Sequence, residues 1–327
     1  MTTNQPDLAA AVDLARLAPS VHNTQPWRFR VDGDALTLSC DPGRRLEALD
    51  PSGRQQVISC GAALYLARLA LREQGFDSEV VTFPPLRDAD VLARLMPVAR
   101  RDVTAEDVVL ADAARRRHTQ RGPFEDRVVP RELLAELRVV TAEFGTWVRV
   151  IDDPDDLTVL TVLLARADDD EREDPAYQAE LASWTARPED SRDGLAPAAT
   201  PDVHDRASNL RLRDFGGGGA APSSTPGDPG GDPPAVERAL ALVLGTEQDT
   251  AADWLRAGEA LMALLLHATV EGVQAQPLGQ VVDREWSRAR LGAALGVVGH
   301  AQMVLRIGYA KPGPESPRRP LDQIVEN

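Results

Sequence analysis

The sequence of 327 residues contains few cysteines, few aromatic residues and no long apolar run. Cys40 and Cys60 are the two cysteines. They are too few for a disulfide framework and form no CxxC metal pattern, so we interpret both as small apolar core residues. No uncharged apolar run approaches the roughly 18–20 residues that cross a bilayer. The first residues also lack the basic and apolar regions of a secretion signal. The sequence therefore predicts a cytoplasmic protein without a membrane partner.

Basic residues are in the minority, since 36 Lys and Arg stand against 51 Asp and Glu, a formal net charge of −15. Nucleic-acid binding needs a dense basic face, so we expect no nucleic-acid partner. The five histidines form no HxxxH or HExxH pair, and we predict no metal site. A serine-hydrolase GxSxG elbow is absent. The run Gly216 to Gly219 has no GxGxxG register after a strand, which disfavours a Rossmann nucleotide site.

The first part of the chain predicts a helix, a loop and a β-hairpin. Residues Leu8 to Ala18 are apolar at helical spacing, and Pro19 ends that helix. Alternating patterns at Trp27 to Val31 and Ala35 to Cys40 predict two strands, and Asp32-Gly33-Asp34 forms the turn between them. These elements indicate a mixed α and β protein.

An internal repeat follows. Ser52, three residues before Gln55, predicts a capping box that opens a buried helix ending near Gly75. The segment Gly61 to Phe76 aligns without a gap to Gly258 to Val273, at an offset of 197 residues. A chance likeness between two Ala/Leu-rich helices is the alternative, but we favour an internal duplication.

Strand-like segments flank both copies of the repeat. Ala35 to Cys40 precedes the first copy and Ala239 to Leu244 precedes the second. Glu79 to Phe83 follows the first copy, and Gln302 to Tyr309 follows the second. We therefore predict two halves, residues 1–105 and 106–327.

A segment of different composition interrupts the second half, at about residues 166–234. It begins at the acidic run Asp168 to Glu171 and ends in GGGGAAPSSTPGDPGGDPP, which is too rich in Gly and Pro for a packed core element. We interpret this segment as a long excursion or a flexible lid.

The loop after the first helix is the most specific stretch of the chain. It reads PSVHNTQPW, with Pro19, Ser20, Asn23 and Gln25 as short polar or turn-forming residues and Trp27 as an anchor. An ordinary Asx-type turn would explain Ser20 and Asn23 equally well. The segment resembles the PSxxNxQPW signature of the nitroreductase family, which binds FMN. The resemblance implies that these four residues contribute to a flavin site.

A second element, RHTQR, comprises Arg117, His118, Thr119 and Arg121 and precedes a helix that Pro130 opens. It resembles the RRSxR or RHSxK element with which nitroreductases grip FMN. The resemblance implies that Arg117 and Thr119 hold phosphate or ribityl groups and that Arg121 faces the pyrimidine edge. Arginine is suited to this because it donates two parallel hydrogen bonds to phosphate oxygens. A solvated basic helix end is the alternative.

Two later segments match the family as well. Pro277, Leu278 and Gly279 resemble the loop whose backbone passes over the flavin, although Gly279 stands where the family often has an acidic residue. The terminal SPRRPL resembles the segment whose arginine completes the phosphate site. We assign that role to Arg318, with Arg319 one register away.

The motifs are divided between the halves. The first half has PSVHNTQPW but no arginine element before it, whereas the second half has RHTQR and replaces the other motif with TAEFGTWVRV. The resemblance, closest to the Acg-like branch, therefore implies an α+β nitroreductase-like fold that is duplicated within one chain. We expect a pseudo-dimer around one FMN site, so a monomer is sufficient.

The implied activity is hydride transfer from NAD(P)H through FMN to an electron-poor acceptor such as a nitroaromatic or a quinone. The N5 atom of the flavin carries this chemistry, so no catalytic side chain is predicted. The alternative is an FMN-storing protein without turnover, in which the excursion closes over the flavin. A module that has lost FMN is the third interpretation.

Overall fold

The computed structural model describes residues 5–85, 88–185, 187–188, 190–195, 238–311, 313 and 315–326. Its first half contains two helices, α1 (Leu8–Ala15) and α2 (Arg54–Glu73). A five-stranded sheet packs against them and is ordered β3-β4-β2-β1-β9. The strands are β1 (Trp27–Asp32), β2 (Ala35–Cys40), β3 (Phe76–Thr82), β4 (Val91–Arg100) and β9 (Val325–Glu326). Neighbours are antiparallel except β1 and β9, which are parallel.

The second half forms a four-stranded antiparallel sheet in the order β5-β6-β8-β7. Its strands are β5 (Thr146–Ile151), β6 (Leu240–Thr246), β7 (Val273–Pro277) and β8 (His300–Tyr309). The helices are α3 (Ala105–Arg116), α4 (Arg131–Ala142), α5 (Pro154–Glu173), α6 (Pro175–Thr185), α7 (Ala251–Val270), α8 (Gln280–Asp283) and α9 (Glu285–Leu295). None of the helices within the described ranges is long and apolar enough to cross a bilayer.

The two sheets repeat one topology. In the first half β1, β2, α2, β3 and β4 follow one another along the chain, and in the second half β5, β6, α7, β7 and β8 do the same. Their strand orders correspond position by position, with β9 added at the edge of the first sheet. The C-terminal strand of the chain thus completes the sheet of the first half.

One sequence-based correspondence was wrong. The strand that directly follows α7 is Val273–Pro277, and the predicted segment Gln302 to Tyr309 lies in β8, the counterpart of β4. The short β7 escapes detection because it has only five residues, two of them glutamine, and Pro277 ends it. Helices α8 and α9 separate β7 from β8.

The helices α2 and α7 pack against each other in the main core. A Cβ atom on Gly61 would lie 2.1 Å from the backbone oxygen of Leu255, and one on Gly258 would lie 2.0 Å from that of Ile58. Gly61 thus faces Leu255, three positions before Gly258, and Gly258 faces Ile58, three positions before Gly61. This reciprocal contact requires two glycines, because any side chain would force the backbones apart.

The start of α2 differs from the predicted capping box. Gly53, with φ +74°, occupies the N-cap position, and the Ser52 hydroxyl accepts from the Arg54 N–H at 3.3 Å. Asp50 instead accepts the Gln56 N–H at 2.9 Å. A carboxylate from the preceding loop replaces the Ser–Gln pair. The prediction that α2 is buried is confirmed.

Other local predictions are confirmed with small changes in bounds. The first helix ends at Ala15, and a turn continues to Pro19. The hairpin between β1 and β2 turns at Gly33, whose φ is +65°. Cys40 and Cys60 are buried free thiols with sulfur atoms 3.9 Å apart.

The second sheet is covered on both faces. Along β6, Leu242 and Leu244 pack into the main core, whereas Ala241 and Val243 pack into a second core with α5, α8 and α9. Because side chains alternate along a strand, this double burial makes β6 apolar at consecutive positions. The sheet is thereby fixed behind the loop that joins β7 to α8.

The first part of the predicted excursion is helical. Residues 166–173 belong to α5 and residues 175–185 form α6. The acidic run lies within α5, where Asp168 and Glu171 are buried and Asp168 pairs with Arg172 at 2.6 Å. An apolar face that includes Leu160 and Leu164 holds this helix on the second core. The Gly/Pro-rich end, with Gly216 to Gly219, lies outside the described residues.

Candidate functional site

A cleft lies where the two halves meet. The first half contributes the loop after α1 and the first turns of α2, and the second half contributes the segment after α3, the centre of α7, β8 and the junction of β7 with α8. Seven of the twelve predicted site residues line it, namely Pro19, Ser20, Thr119, Arg121, Pro277, Leu278 and Gly279. The other lining residues are Val21, His22, Gln55, Ile58, Ser59, Leu261, Gln276, Gln280, Asp283 and Met303.

The loop of the first half holds an unusual backbone. His22, Asn23 and Gln25 have φ of +47°, +54° and +49°. Non-glycine residues occupy this left-handed region at a cost, and such residues concentrate at functional sites. The Ser20 hydroxyl accepts the Gln25 N–H at 2.9 Å and closes the loop on itself. Ser20 therefore shapes the cleft that it lines.

Asn23 and Gln25 do not line the cleft but fix the loop to two other segments. The Asn23 amide donates to the backbone oxygens of Gly194 at 3.0 Å and Pro317 at 3.1 Å. The Gln25 amide donates to the Arg192 oxygen at 2.8 Å and accepts the Arg319 N–H at 2.8 Å. That both residues contribute to a cofactor site stays a prediction. The bonds described here hold the loop that forms the cleft wall in place.

Residues 190–195, here called the strap, cross this loop. The Gly194 N–H donates to the Asn23 oxygen at 3.2 Å. The Arg44 guanidinium donates to the Asp193 carboxylate and to the Thr24 oxygen, each at 2.8 Å. The preceding helix α6 packs with Val21, a cleft residue. The described end of the excursion therefore adjoins the cleft, although the sequence does not specify these contacts.

Two arginines from distant parts of the chain meet behind the loop. Arg117, at the end of α3, and Arg318, near the C-terminus, both donate to the Leu17 backbone oxygen, at 3.4 Å and 3.1 Å. The Nε atom of each is buried, and within the described ranges neither finds a hydrogen-bond partner. Arg319 instead donates to the Gln25 oxygen at 3.2 Å. The geometry thus separates the two consecutive arginines.

The electrostatics of this pair indicate an anion site. Burial, and then repulsion by Arg121, lower the pKa of Arg117 to about 10. Burial, followed by repulsion from other arginines including Arg117, lowers the pKa of Arg318 to about 9. Buried cations are costly unless an anion compensates them. Arg318 already donates to the Asn23 side-chain oxygen and to the backbone oxygens of Leu17, Ser316 and Pro317, all of them neutral acceptors. A phosphate monoester fits, because it supplies negative charge for both guanidinium groups and acceptor atoms for their two Nε atoms.

The segment after α3 connects the arginines to the cleft. Thr119 forms a parallel bridge with Ala275 of β7, and the Gln120 N–H donates to the Ala275 oxygen at 3.0 Å. Thr119 and Arg121 thereby line the cleft. His118 does not: its Nε2 accepts the Gly313 N–H at 2.8 Å. His118 fastens the C-terminal segment instead.

The junction between β7 and α8 forms the opposite wall. The Leu278 N–H donates to the Val304 oxygen at 2.8 Å, and this backbone amide is therefore already hydrogen-bonded to β8. A Cβ atom on Gly279 would lie 2.7 Å from a carboxylate oxygen of Asp283. Glycine at position 279 therefore leaves room for the carboxylate of Asp283, which is four residues further along the chain.

Sequence reasoning missed several polar residues of this wall. Gln55 donates to Asp283 at 2.7 Å. The Oε1 atom of Gln276 and the Nε2 atom of Gln280 are buried without a hydrogen-bond partner inside the described parts of the chain. The sequence contains one pattern that could have identified these residues: glutamine recurs at 274, 276 and 280, on both sides of Pro277-Leu278-Gly279. These atoms offer an acceptor and a donor to a ligand.

The residues that the structure describes contain no group of three or more His, Cys, Asp or Glu side chains placed to hold a metal. The fold consists of two halves of repeated topology with a cleft between them.

Comparison with known proteins gives the family. A scan against protein-family models found no match. The chain is 34% identical over 336 residues to "Putative NAD(P)H nitroreductase Rv3131" of Mycobacterium tuberculosis, covering 100% of this chain and 94% of that protein. It is 32% identical over 324 residues to "Putative NAD(P)H nitroreductase acg" of the same organism, covering 97% and 94%. The chain therefore belongs to this nitroreductase family, and its α+β fold is the one that the motifs predicted.

Solved nitroreductases also match, at lower similarity. The FMN-dependent nitroreductase NfnB from Mycobacterium smegmatis in complex with NADPH is 18% identical, with a TM-score of 0.40. That match covers 67% of this chain and 99% of the solved chain. A nitroreductase-like protein from Bacillus cereus is 13% identical, with a TM-score of 0.39, and covers 70% and 98%.

Proposed function

We propose that this chain binds one FMN in the cleft and uses NAD(P)H to reduce an electron-poor acceptor, such as a nitroaromatic or a quinone. The observation that carries the proposal is the buried pair Arg117 and Arg318 beside the cleft, whose charge neighbours are other arginines. Family membership supports the same function, since relatives at 34% and 32% identity carry NAD(P)H nitroreductase names.

Each half contributes different groups to this proposed site. Arg117, Arg318 and Thr119 hold the phosphate end, and Arg121 faces the pyrimidine end of the ring. Ser20 and the strained loop form one wall, and residues 277–279 form the other. A fixed cation beside the ring favours negative charge there, which assists reduction.

When bound, FMN supplies the hydride chemistry, and the protein supplies binding, orientation and a cleft from which water is displaced. The buried Gln276 and Gln280 amides provide an acceptor and a donor on the wall beside residues 277–279. Their orientation is fixed by β7 and α8, so they hold a planar ligand in place without acting as acid or base.

The repeated topology supports an internal duplication with one complete site. We propose the halves 1–105 and 106–327; the strands of the first sheet come from the first range and those of the second sheet from the second, except that β9 returns to the first sheet. Because both halves are in one chain, we expect a monomer to be sufficient. FMN released by heat and quantified against protein should be equimolar, whereas a ratio near two would contradict the single site.

A second candidate function is FMN storage without turnover. The strap favours it, because Arg192, Asp193 and Gly194 are all bonded to the loop that lines the cleft or to its neighbours. A closed strap would limit the access of nicotinamide.

Anaerobic stopped-flow reduction separates the two functions. The purified holoprotein is mixed with NADH or NADPH, and the loss of flavin absorbance is followed. Rapid bleaching supports the oxidoreductase. Bound flavin that is not bleached by either nucleotide, but is bleached by dithionite, supports storage. A purified chain without affinity for FMN would contradict both.

A further inference from the structure

One side chain joins the strap to the phosphate end of the site. The Asn23 amide nitrogen donates to the backbone oxygens of Gly194, in the strap, at 3.0 Å and of Pro317, near the C-terminus, at 3.1 Å. The Asn23 Oδ1 atom accepts a hydrogen bond from Nη1 of Arg318 at 3.2 Å. The residue is only 6% exposed, so these contacts are made away from solvent. Asn23 therefore connects two segments that are far apart in the sequence.

The orientation of this amide depends on Arg318. An arginine side chain only donates hydrogen bonds, so the amide oxygen faces Arg318 and the amide nitrogen faces the two carbonyl groups. The opposite orientation would place donors against donors and acceptors against acceptors. The strap is bonded to the main chain of the loop as well, because the Gly194 N–H donates to the Asn23 backbone oxygen at 3.2 Å. Arg318 thus fixes the bond that the Asn23 side chain makes to the strap.

The position of Arg318 depends in turn on an anion. Besides Asn23, its guanidinium group has only neutral acceptors among the bonds described, the backbone oxygens of Leu17, Ser316 and Pro317. Burial, and then the charges of neighbouring arginines with Arg117 foremost, disfavour the charged state of Arg318 at this position. A phosphate bound by both arginines offsets that repulsion and holds Arg318 in place.

We propose that Asn23 is a positioning residue that couples the strap to the phosphate end of the site. A phosphate on Arg318 strengthens the bond between Asn23 and the strap, and the bonded strap strengthens phosphate binding by the same factor, because coupling between two sites is reciprocal. The inference rests on the proposed function, which places the FMN phosphate at Arg117 and Arg318. Couplings of this kind typically amount to about fivefold or more.

Hydrogen exchange of the strap amides, in residues 190–195, measures this coupling. Exchange is followed by mass spectrometry in the apoprotein and with saturating FMN, riboflavin or inorganic phosphate. Riboflavin has the same ring without the phosphate, so the ratio of the exchange rate with riboflavin to the rate with FMN isolates the effect of the phosphate. Inorganic phosphate tests the same effect without the ring.

Two variants separate the coupling from the packing of the strap. Asn23→Gly removes the amide and keeps the backbone, since glycine adopts the φ of +54° at this position without strain. The matched control is Arg44→Met. Arg44 holds the strap at Asp193 and the loop at the Thr24 oxygen, by bonds that do not involve Asn23 or Arg318.

In the wild type, FMN should slow the exchange of the strap about fivefold or more relative to riboflavin, and inorganic phosphate should slow it relative to the apoprotein. In Asn23→Gly the riboflavin-to-FMN ratio should fall to within about twofold of one, because the amide that transmits the effect is gone. In Arg44→Met exchange should accelerate with every ligand, but the ratio should equal that of the wild type.

Equal protection by FMN and riboflavin in a wild type that binds both would overturn the inference and leave the proposed function intact. An unchanged ratio in Asn23→Gly, or a ratio lost equally in Arg44→Met, would do the same. A wild type that binds no FMN would overturn both. If Asn23→Gly does not fold, Asn23→Asp replaces it, since ionised aspartate accepts from Arg318, cannot donate to the Gly194 oxygen and tolerates a left-handed backbone.

Discussion

Arg117 allows opposite effects on ligand binding and on stability to be predicted from one substitution. Arg117→Met keeps the length of the apolar stem but removes the cation. A hydrogen bond to a charged group contributes about 1.5–3 kcal/mol, so FMN should bind about 10- to 150-fold more weakly. Riboflavin lacks the phosphate, and its affinity should change little.

The same substitution should stabilise the flavin-free protein. Burial lowers the pKa of Arg117 from the ordinary value of an arginine to about 10, and each pKa unit corresponds to about 1.4 kcal/mol. The charged side chain therefore costs the folded state up to about 3 kcal/mol. This cost is complete below pH 10, where the side chain is protonated whether folded or unfolded, and it declines as the pH rises above 10 towards the ordinary pKa of an unfolded arginine. At pH 7 Arg117→Met removes all of it.

Two measurements test this pair of effects. Fluorescence titration of the apoprotein with FMN and with riboflavin gives the affinities, and urea unfolding without flavin gives the stability. Arg116→Met is the control, because Arg116 is exposed and pairs with Asp112. An equal loss of FMN and riboflavin affinity, or a less stable apoprotein, would refute the assignment of Arg117 to a phosphate site.

Three further predictions concern the fold around the cleft. Gly61→Ala places a Cβ atom 2.1 Å from a backbone oxygen, so the free energy of unfolding measured in urea should fall by about 1–3 kcal/mol or more. The control is Gly292→Ala in α9, where the nearest atom is 3.9 Å from the new Cβ atom; this variant should not be destabilised. Arg44→Met removes a 2.8 Å bond to the strap, so amide hydrogen exchange in residues 190–195 should accelerate; unchanged exchange would show that other bonds hold it. Asp50→Asn should raise stability at pH 8 by up to about 3 kcal/mol, because burial raises the pKa of Asp50 to about 6. That gain should vanish below pH 4, where Asp50 is protonated whether folded or unfolded, and a gain that persists there would contradict the assigned cause.

Short, specific sequence patterns marked the segments that meet at the cleft. PSVHNTQPW, RHTQR and Pro277-Leu278-Gly279 each contribute residues to it, and their binding of FMN stays a prediction. The glycines of the two central helices marked the repeat, and their reciprocal contact explains why both copies have one. Such features can be recognised in a sequence because a given residue type at a given spacing is compatible with few structures.

The roles of individual residues within those motifs were less predictable. The strap and the C-terminal segment form hydrogen bonds with Asn23, Gln25 and His118. These partners are far away in the sequence, so no local pattern predicts the contacts. The choice between Arg318 and Arg319 likewise depends on which guanidinium reaches Leu17 and which reaches Gln25.

The sequence alone determined the family, the repeated helices, the first hairpin and the basic motifs, because periodicity and short motifs are local properties. Only the tertiary structure decided that β9 completes the first sheet, that two distant arginines share one buried position, and that Asp283 occupies the space beside Gly279. Those features arise from contacts between residues far apart in the chain, where burial and neighbouring charge fix each side chain's chemistry.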